Sequence, residues 1–194
     1  MAGIQISKTI SELLNRQGIK TLNCSFEDAD IENKEFDAVV VFHVLGHVKD
    51  PAKAIDKCND ILKEGGILII EVPNIDSWSC CYGREKWNAY DVPNHIVNFN
   101  KDLLTKLMIQ KGFFPLETST WNFEIVPVIF LQTFMNRFLK SNYYYLTLQT
   151  MRVRRYVVLF VYLLLIPVFV VVERIAILVN KGNVIRHVLR KNRT

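Results

Sequence analysis

Apolar and polar positions follow two alternating patterns over the first 120 residues of the chain. Short apolar runs, typical of strands, occupy residues 4–6, 19–24, 36–42, 67–72 and 114–120. Apolar residues at helical spacing predict helices over residues 7–18, 50–65 and 101–111. This rhythm of strands and helices predicts an α/β domain with a mainly parallel sheet.

Local signals mark where the predicted helices begin and end. Ser7, Asp50 and Asn100 stand at N-cap positions, and a glycine follows each helix, with Gly65–Gly66 ending the second. The core-facing residues expected of the first two helices are Ile10, Leu13, Leu14, Ala54, Ile55, Cys58, Ile61 and Leu62. The continuous run over residues 36–42 (FDAVVVF) predicts a strand buried on both faces of the sheet.

The remainder of the chain has a different character. Residues 124–145 are aromatic and apolar and predict a helix, and residues 156–172 (YVVLFVYLLLIPVFVVV) carry no charge. The uncharged run is shorter than the roughly 20 residues of a spanning helix, and Pro167 is expected to kink a single helix. Three interpretations stay open: a helix lying in the membrane face, an internally packed or dimer-forming helix, and a true span.

Together, these patterns predict the domain organisation. A partial α/β domain is expected over residues 1–122, a helical insertion over residues 123–182, and the final strand of the α/β domain over residues 183–194. The insertion is the segment expected to meet a membrane surface.

Charge is divided unevenly between the two halves of the chain. Residues 1–100 hold 10 basic and 15 acidic residues, whereas residues 101–194 hold 14 basic and 4 acidic ones. Basic residues confined to one half predict a polyanionic partner there. The apolar run beside them favours a membrane surface, reached through residues 151–181, and argues against nucleic acid.

Cysteine usage and the N-terminus bear on the compartment. The four cysteines form no paired CxxC spacing, which excludes a disulfide scaffold and indicates a reducing compartment. No basic segment followed by an apolar run is visible at the N-terminus, so we expect no signal peptide. The expected location is cytoplasmic and peripheral to the membrane.

Three motifs occur in order along the α/β region. Residues 36–51 read FDAVVVFHVLGHVKDP, residues 62–74 read LKEGGILIIEVPN, and residues 91–99 read DVPNHIVNF. Together they resemble the later motifs of class I S-adenosylmethionine-dependent methyltransferases, in the group whose signature contains HVLEH. The resemblance covers residues 3 to about 120 and implies a Rossmann-like sheet with S-adenosylmethionine as cofactor.

The resemblance also implies where the cofactor lies. Gln5 falls where the family usually has an Asp or Glu that accepts both ribose hydroxyls, and it brings no anionic acceptor. Ser25 and Phe26 fall beside the adenine. Phe42 and His43 fall at the end of the family's fourth strand, beside the methionine part of the cofactor.

Side chains near the third motif are candidates for the acceptor side. His95 is the candidate catalytic base or positioning residue for the acceptor, with a loop-capping role as the alternative. His43 and His47 are four residues apart, as metal ligands can be, but Val44 stands where the HExxH motif needs Glu, so we predict no metal site. Four aromatic residues could line an acceptor pocket or fill the core of a lid: Trp78, Tyr82, Trp87 and Tyr90.

Two departures from the family pattern concern the cofactor site. Gly46 replaces the Glu of HVLEH. The family's first strand and its GxGxG loop belong before Gly3, where the sequence has only two residues. The resemblance therefore implies an N-terminally truncated sheet without its first strand, its first helix and its main cofactor loop.

Two functions follow as expectations. The first is methyl transfer from S-adenosylmethionine to a small-molecule or lipid-linked acceptor near a membrane surface, impaired by loss of the Gly-rich loop. The alternative is a non-catalytic methyltransferase remnant that acts as a membrane-associated binding or scaffolding module. The identity of the acceptor, the atom methylated and the oligomeric state stay open.

Overall fold

The structure is a computed structural model that describes residues 2–31, 36–121, 126–138 and 152–192. The strands within these ranges are β1 (Ala2–Ile4), β2 (Lys20–Leu22), β3 (Phe36–Phe42), β4 (Leu62–Pro73), β5 (Phe113–Ser119) and β6 (Val184–Lys191). The α-helices are α1 (Lys8–Arg16), α2 (Pro51–Ile61), α3 (Trp78–Gly83), α4 (Lys101–Gln110), α5 (Val126–Phe138) and α6 (Arg152–Leu178).

The strands form two sheets. β1 and β2 pair in parallel, and a four-stranded sheet has the order β3-β4-β6-β5. β3 is parallel to β4, whereas β6 runs antiparallel to both β4 and β5. β3, β4 and β5 therefore run in the same direction, and the last strand, which lies between β4 and β5, runs the opposite way. The predicted α/β fold with a mainly parallel sheet is confirmed.

One face of the four-stranded sheet carries the main core. Alternate residues of three neighbouring strands point to this face, because side chains of a strand alternate between its two sides. The sheet residues of this core are Val41, Leu68, Ile70, Val72, Ile185 and Leu189, and α2 and α4 cover them with Ile55, Cys58, Leu104 and Met108. All five residues expected to face inward from the second helix are buried.

The opposite face of β3 is open, which corrects the prediction of a strand buried on both sides. Val41 is buried, whereas Val40 and Phe42 are 54% and 48% exposed. Within the described ranges β3 pairs with β4 alone, so its other edge is unpaired. The predicted burial fails because a sequence run cannot report whether a second layer covers the strand.

The apolar stripe of α1 is likewise not buried. Ile10 and Leu13 are 46% and 54% exposed, and the buried residue of the helix is Ser11. Helix α1 lies on β2 through polar contacts, in which the Asn15 side chain donates to the Thr21 carbonyl and accepts from the Thr21 amide. The helix is amphipathic as predicted, but the described residues supply no surface that covers its apolar side.

The predicted helix ends are largely confirmed. Asp50 and Asn100 each accept a hydrogen bond from the backbone N–H three residues on, at 3.1 and 2.8 Å. Ser7 occupies the N-cap position of α1 but its side chain makes no capping bond. Helix α2 ends at Ile61, before the glycine pair expected to stop it, and Gly65 with its φ of 74° lies in an irregular stretch of β4.

Helices α5 and α6 pack together beside the sheet. Phe130 and Leu131 of α5 contact Phe169 of α6 in a second core cluster that also includes Trp78 of α3. Helix α6 continues through Pro167, and the kink expected at this residue stays a prediction. In the portion of the chain that the structure describes, no helix has the length and apolarity needed to cross a bilayer.

A buried polar network fixes the end of α6 to the loop before β6. Both Glu173 carboxylate oxygens accept hydrogen bonds from Asn183, one from its backbone N–H at 2.9 Å and one from its side chain at 2.8 Å. The Asn183 side-chain oxygen in turn accepts from the Ser79 hydroxyl, which also accepts from the Trp87 indole N–H. The helical segment is therefore joined to the α/β domain by specific contacts.

Candidate active site

The candidate site begins where β3 and β4 end. His43 directly follows β3 with a φ of 53°, in the left-handed region that non-glycine residues seldom occupy. Its backbone N–H donates to the Glu71 carbonyl at 2.9 Å, so the parallel ladder fixes the backbone of this residue. Residues held in sparsely populated backbone conformations concentrate at functional sites, so the His43 side chain is a candidate functional group.

A buried carboxylate lies beneath His43. Glu71 is 1% exposed, and its Oε2 accepts from the Nε and Nη2 atoms of Arg186 at 2.8 and 2.6 Å. Its Oε1 lies 3.0 Å from His43 Nε2. The Arg186 guanidinium is also 5.6 Å from the centre of the Phe42 ring, so Phe42, Glu71 and Arg186 form one row across three strands.

Two more histidines lie against the loop that follows His43. His47 and His95 stack with ring centroids 4.2 Å apart. The His95 Nδ1 atom donates to the Ala89 carbonyl at 2.6 Å, and the corresponding atom of His47 is 3.0 Å from the Asn94 carbonyl. Burial lowers the pKa of His95 from its ordinary value, although the bond to Ala89 opposes this shift, so its Nε2 retains a lone pair at neutral pH.

Gly46 makes room for this arrangement. A Cβ atom at this position would lie 3.0 Å from His95 Cδ2 and 3.2 Å from the Val97 carbonyl oxygen. The Gly46 carbonyl also accepts from the Ile96 N–H at 2.8 Å. The departure from the HVLEH motif is therefore coupled to the position of His95 over the loop.

Gln5 lies apart from this cluster, directly after β1 in the two-stranded sheet. Its side-chain oxygen accepts from the Ser7 N–H at 3.1 Å, and its backbone carbonyl accepts from Asn23. The oxygen that would meet a ribose hydroxyl is therefore already engaged at the start of α1. That oxygen keeps a second lone pair, so the expected ribose contact of Gln5 stays a prediction.

Ser25 and Phe26 are joined to the four-stranded sheet through α2. The Ser25 hydroxyl donates to Asp28 at 2.6 Å, and the Phe26 carbonyl accepts from Lys57 Nζ at 2.8 Å. The Phe26 ring packs against the main core with the Lys57 ammonium 5.5 Å from its centre. The loop after β2 is thus held against α2 and the main core, whereas its adenine contact stays a prediction.

The four aromatic residues predicted near the acceptor lie within packed clusters. Trp87 is 3% exposed and stacks edge-on against Tyr90, and Trp78 and Tyr82 pack against α5 and α6. They support the segment between β4 and α4. Within the described ranges, His, Cys, Asp and Glu side chains form no group of three suited to a metal ion.

Sequence reasoning missed Glu71 and Arg186. Glu71 is the one acidic residue in the run ILIIEVP, and an ionisable residue inside a buried strand was a usable signal. Arg186 had no such signal, because its contact with Glu71 depends on pairing between strands 115 residues apart in sequence. The structure groups Phe42, His43 and His95 at one edge, with these two residues added.

Comparison with known proteins agrees with the fold and the motifs. The family described as "Methyltransferase domain" matches residues 4–118, more than half of the chain. The chain therefore belongs to the methyltransferase-domain family.

Individual relatives cover parts of the chain. A probable S-adenosylmethionine-dependent methyltransferase of Mycobacterium tuberculosis is 28% identical over 95 residues, 49% of this chain and 33% of that protein. A ubiquinone biosynthesis O-methyltransferase of Dinoroseobacter shibae is 32% identical over 90 residues, 43% of this chain and 36% of that protein. The chain spans about a third of the length of these two relatives.

A solved structure supports the fold alone. The crystal structure of a putative methyltransferase from Bacillus halodurans superposes with a TM-score of 0.59 and 14% identity, covering 98% of this chain and 82% of that one. The match extends beyond the family-matched region, so the α5–α6 segment and β6 belong to the same overall architecture.

Proposed function

We propose that this chain carries out S-adenosylmethionine-dependent methyl transfer to a small-molecule acceptor. The observation that carries the proposal is the family match over residues 4–118 together with the cluster at the ends of β3 and β4. The probable S-adenosylmethionine-dependent methyltransferase of Mycobacterium tuberculosis supports the choice of cofactor. The motif FHVLGHV supports placement in the HVLEH-type group of small-molecule methyltransferases.

The cofactor supplies an activated methyl group on a sulfonium, so the protein mainly aligns the reactants and manages protons. Phe42 is half exposed beside His43 and offers an apolar wall for the methionine part. Ser25 and Phe26 supply the adenine side. The ribose position is the poorest fit, because the Gln5 oxygen is engaged by Ser7.

The open face of β3 supports a second element of the proposal. Within the described residues, the free edge of β3 presents unpaired backbone groups, which are a template for a further strand, and Val40 and Phe42 are exposed on its open face. We propose that a further parallel strand, from polypeptide outside the described residues, pairs with this edge of β3. Hydrogen exchange tests this: if such a strand pairs with β3, the β3 amides not bonded to β4 should be as protected as those of β4, and much faster exchange of these amides would contradict it.

A stripe of exposed apolar residues on α6 supports a membrane-facing location. This α6 stripe consists of Phe160, Leu164, Val168, Val171, Ile175 and Leu178. Its spacing of three and four residues places the side chains on one helix face, over about 27 Å. The other face packs on α5, so the stripe points away from the protein.

Charge favours an anionic bilayer over a second copy of the chain as the occupant of the α6 stripe. The exposed Arg174 and Lys181 lie in or just after α6, and the C-terminal half of the chain carries ten more basic than acidic residues. Two such halves repel each other, whereas anionic lipid attracts them. The proposed location is therefore a membrane interface, where a lipid-linked acceptor is also reachable.

Vesicle flotation tests the membrane proposal. The chain should float with vesicles containing phosphatidylglycerol and much less with pure phosphatidylcholine. Leu164→Gln combined with Val168→Gln should reduce flotation, whereas the matched pair Val92→Gln and Leu116→Gln, also exposed, should not. Equal binding by both double variants, or a dimer in sedimentation that the stripe variant abolishes, would contradict it.

The alternative is a non-catalytic binding or scaffolding module, favoured by the engaged Gln5 oxygen and the unpaired edge of β3. Calorimetric titration of S-adenosylhomocysteine into the purified chain separates the two functions. Methyl transfer predicts binding, with a dissociation constant on the order of micromolar. No heat of binding from a chain shown to be folded by circular dichroism would contradict methyl transfer and support the module.

A further inference from the structure

The three histidines at the site differ in what their side chains contact. His95 is tied to the Ala89 carbonyl and stacked on His47, which itself reaches the Asn94 carbonyl. In the described part of the chain, His43 is the histidine whose ring lies against a buried carboxylate. This contact separates His43 chemically from the other two.

The contacts of Glu71 define the orientation of the His43 ring. Arg186 occupies Oε2 through two nitrogen atoms, which leaves Oε1 directed at His43 Nε2. The 3.0 Å approach does not meet hydrogen-bond geometry, and Nε2 has no other partner in the described residues. A small rotation of the ring would align the two atoms, and such contacts often tighten only when substrate is bound.

We propose that His43 is the base that accepts the acceptor's proton, with Glu71 and Arg186 as its positioning residues; this rests on the proposed methyl transfer. A proton on Nε2 directed at Glu71 leaves the lone pair on Nδ1. The acceptor O–H or N–H bond breaks, its proton moves to Nδ1, and the oxygen or nitrogen forms a bond to the methyl carbon. The carbon–sulfur bond breaks with its electron pair on sulfur, and the histidine proton then passes to water.

The charges around His43 support this role. Two nitrogen atoms of Arg186 bind one Glu71 oxygen in a charge-assisted contact that favours the carboxylate form, and the anion favours a proton on the imidazole. The other groups facing the site are His47 and His95, and burial lowers the pKa of His95, although its bond to Ala89 opposes this, so His95 is neutral at neutral pH. The arrangement thus defines an acceptor class: a hydroxyl or amine that must lose a proton, rather than a nucleophile that is already deprotonated.

Histidine NMR of the chain tests the geometry without turnover. The wild-type His43 ring should show the tautomer with hydrogen on Nε2. Glu71→Gln should reduce the population of the Nε2–H tautomer, because the carboxylate oxygen beside Nε2 is replaced by an amide. The control Glu85→Gln makes the same charge change on an exposed residue and should leave the His43 tautomer unchanged. An Nδ1–H tautomer in the wild type, or equal tautomer populations in all three proteins, would overturn the proposal.

Kinetics test the catalytic role with phenol and aniline as probe acceptors. His43→Gln should lower kcat/KM by about 100-fold or more and remove the acidic limb of its pH profile. Glu71→Gln should move that limb to lower pH. Binding of S-adenosylhomocysteine is measured for each variant, which separates a loss of catalysis from a loss of cofactor. Unchanged profiles, or methylation of neither probe by a chain that binds S-adenosylhomocysteine, would refute this inference. A wild-type chain that binds none would refute the proposed function instead.

Discussion

His95 packs over Gly46 so closely that a methyl group on the glycine would lie 3.0 Å from His95 Cδ2. The same added atom would be 3.2 Å from the Val97 carbonyl, so neither the ring nor the backbone leaves room for it. Gly46 thus allows the loop after β4 to lie on the loop after β3. The position of His95 therefore depends on the absence of a side chain at Gly46.

Gly46→Ala should therefore displace His95 from His47 and destabilise the fold by about 1–3 kcal/mol, the usual range for overpacking. Loss of the ring stacking should appear as a change in the NMR shifts of both histidines, and urea unfolding measures the free energy. Gly3→Ala serves as the control, because its added methyl meets Thr21 at an ordinary 3.8 Å. Unchanged histidine shifts in Gly46→Ala would show that His95 can move without cost.

Local signals account for what the sequence predicted well. The caps at Asp50 and Asn100, and the buried residues of α2, depend on neighbours within one or two turns. The expected burial of Ile10 and Leu13 failed because burial requires a partner surface, which no local pattern reports. The same limit explains why the strand at β3 was placed correctly while its open face was not.

The residues of the candidate site likewise divide into those that the sequence predicts and those that depend on strand pairing. His43 and His95 were found because the motifs that contain them resemble a family. Arg186 was not found, since its role comes from strand order: β6 lies between β4 and β5, and this pairing brings Arg186 opposite Glu71. Glu71 could have been found as the acid inside an apolar strand, but its contacts with Arg186 and His43 could not.

His187 should make stability fall in acid. It is fully buried, accepts or donates hydrogen bonds to Thr118 at 2.8 Å and Thr105 at 3.3 Å, and burial lowers its pKa to about 4 from an ordinary 6.5. Between these values the unfolded chain binds the proton more strongly, so this group's contribution to folding is complete above pH 6.5 and is lost as pH falls toward 4.

The free energy of unfolding of the wild type minus that of His187→Gln should therefore rise by up to about 1.4 kcal/mol per pH unit across this window. Urea titrations at half-unit pH intervals measure the difference, in which groups common to both proteins cancel. A difference that does not vary with pH would show that His187 is protonated equally in the folded and unfolded states.

Glu173 should produce the opposite slope. Burial raises its pKa to about 7 from 4.5, although the Asn183 N–H opposes the shift. Between these values the folded chain binds the proton more strongly, so this group's contribution is present below pH 4.5 and is lost as pH rises toward 7. The difference between the wild type and Glu173→Gln should fall with pH by up to about 1.4 kcal/mol per unit. A rising or flat difference would contradict the assignment.

Gly83 and Thr133 should be coupled across the contact between α3 and α5. A methyl group on Gly83 would overlap the Thr133 methyl, while the Thr133 hydroxyl donates to the Ile129 carbonyl at 2.8 Å and accepts from the Asn88 N–H at 3.1 Å. Gly83→Ala alone should therefore destabilise the protein by about 1–3 kcal/mol. Thr133→Ser keeps both hydroxyl bonds and removes only the obstructing methyl.

The double variant should consequently recover much of the stability lost in Gly83→Ala. Chemical unfolding of the four proteins gives a coupling energy, which for contacting residues is typically about 0.5–3 kcal/mol. Because α5 is the element that connects the sheet domain to α6, a coupling of this size would show that α5 docks on α3 in solution as it does in the structure. Additive effects of the two substitutions would mean that α5 does not pack against Gly83, and that the α6 stripe is not fixed relative to the site.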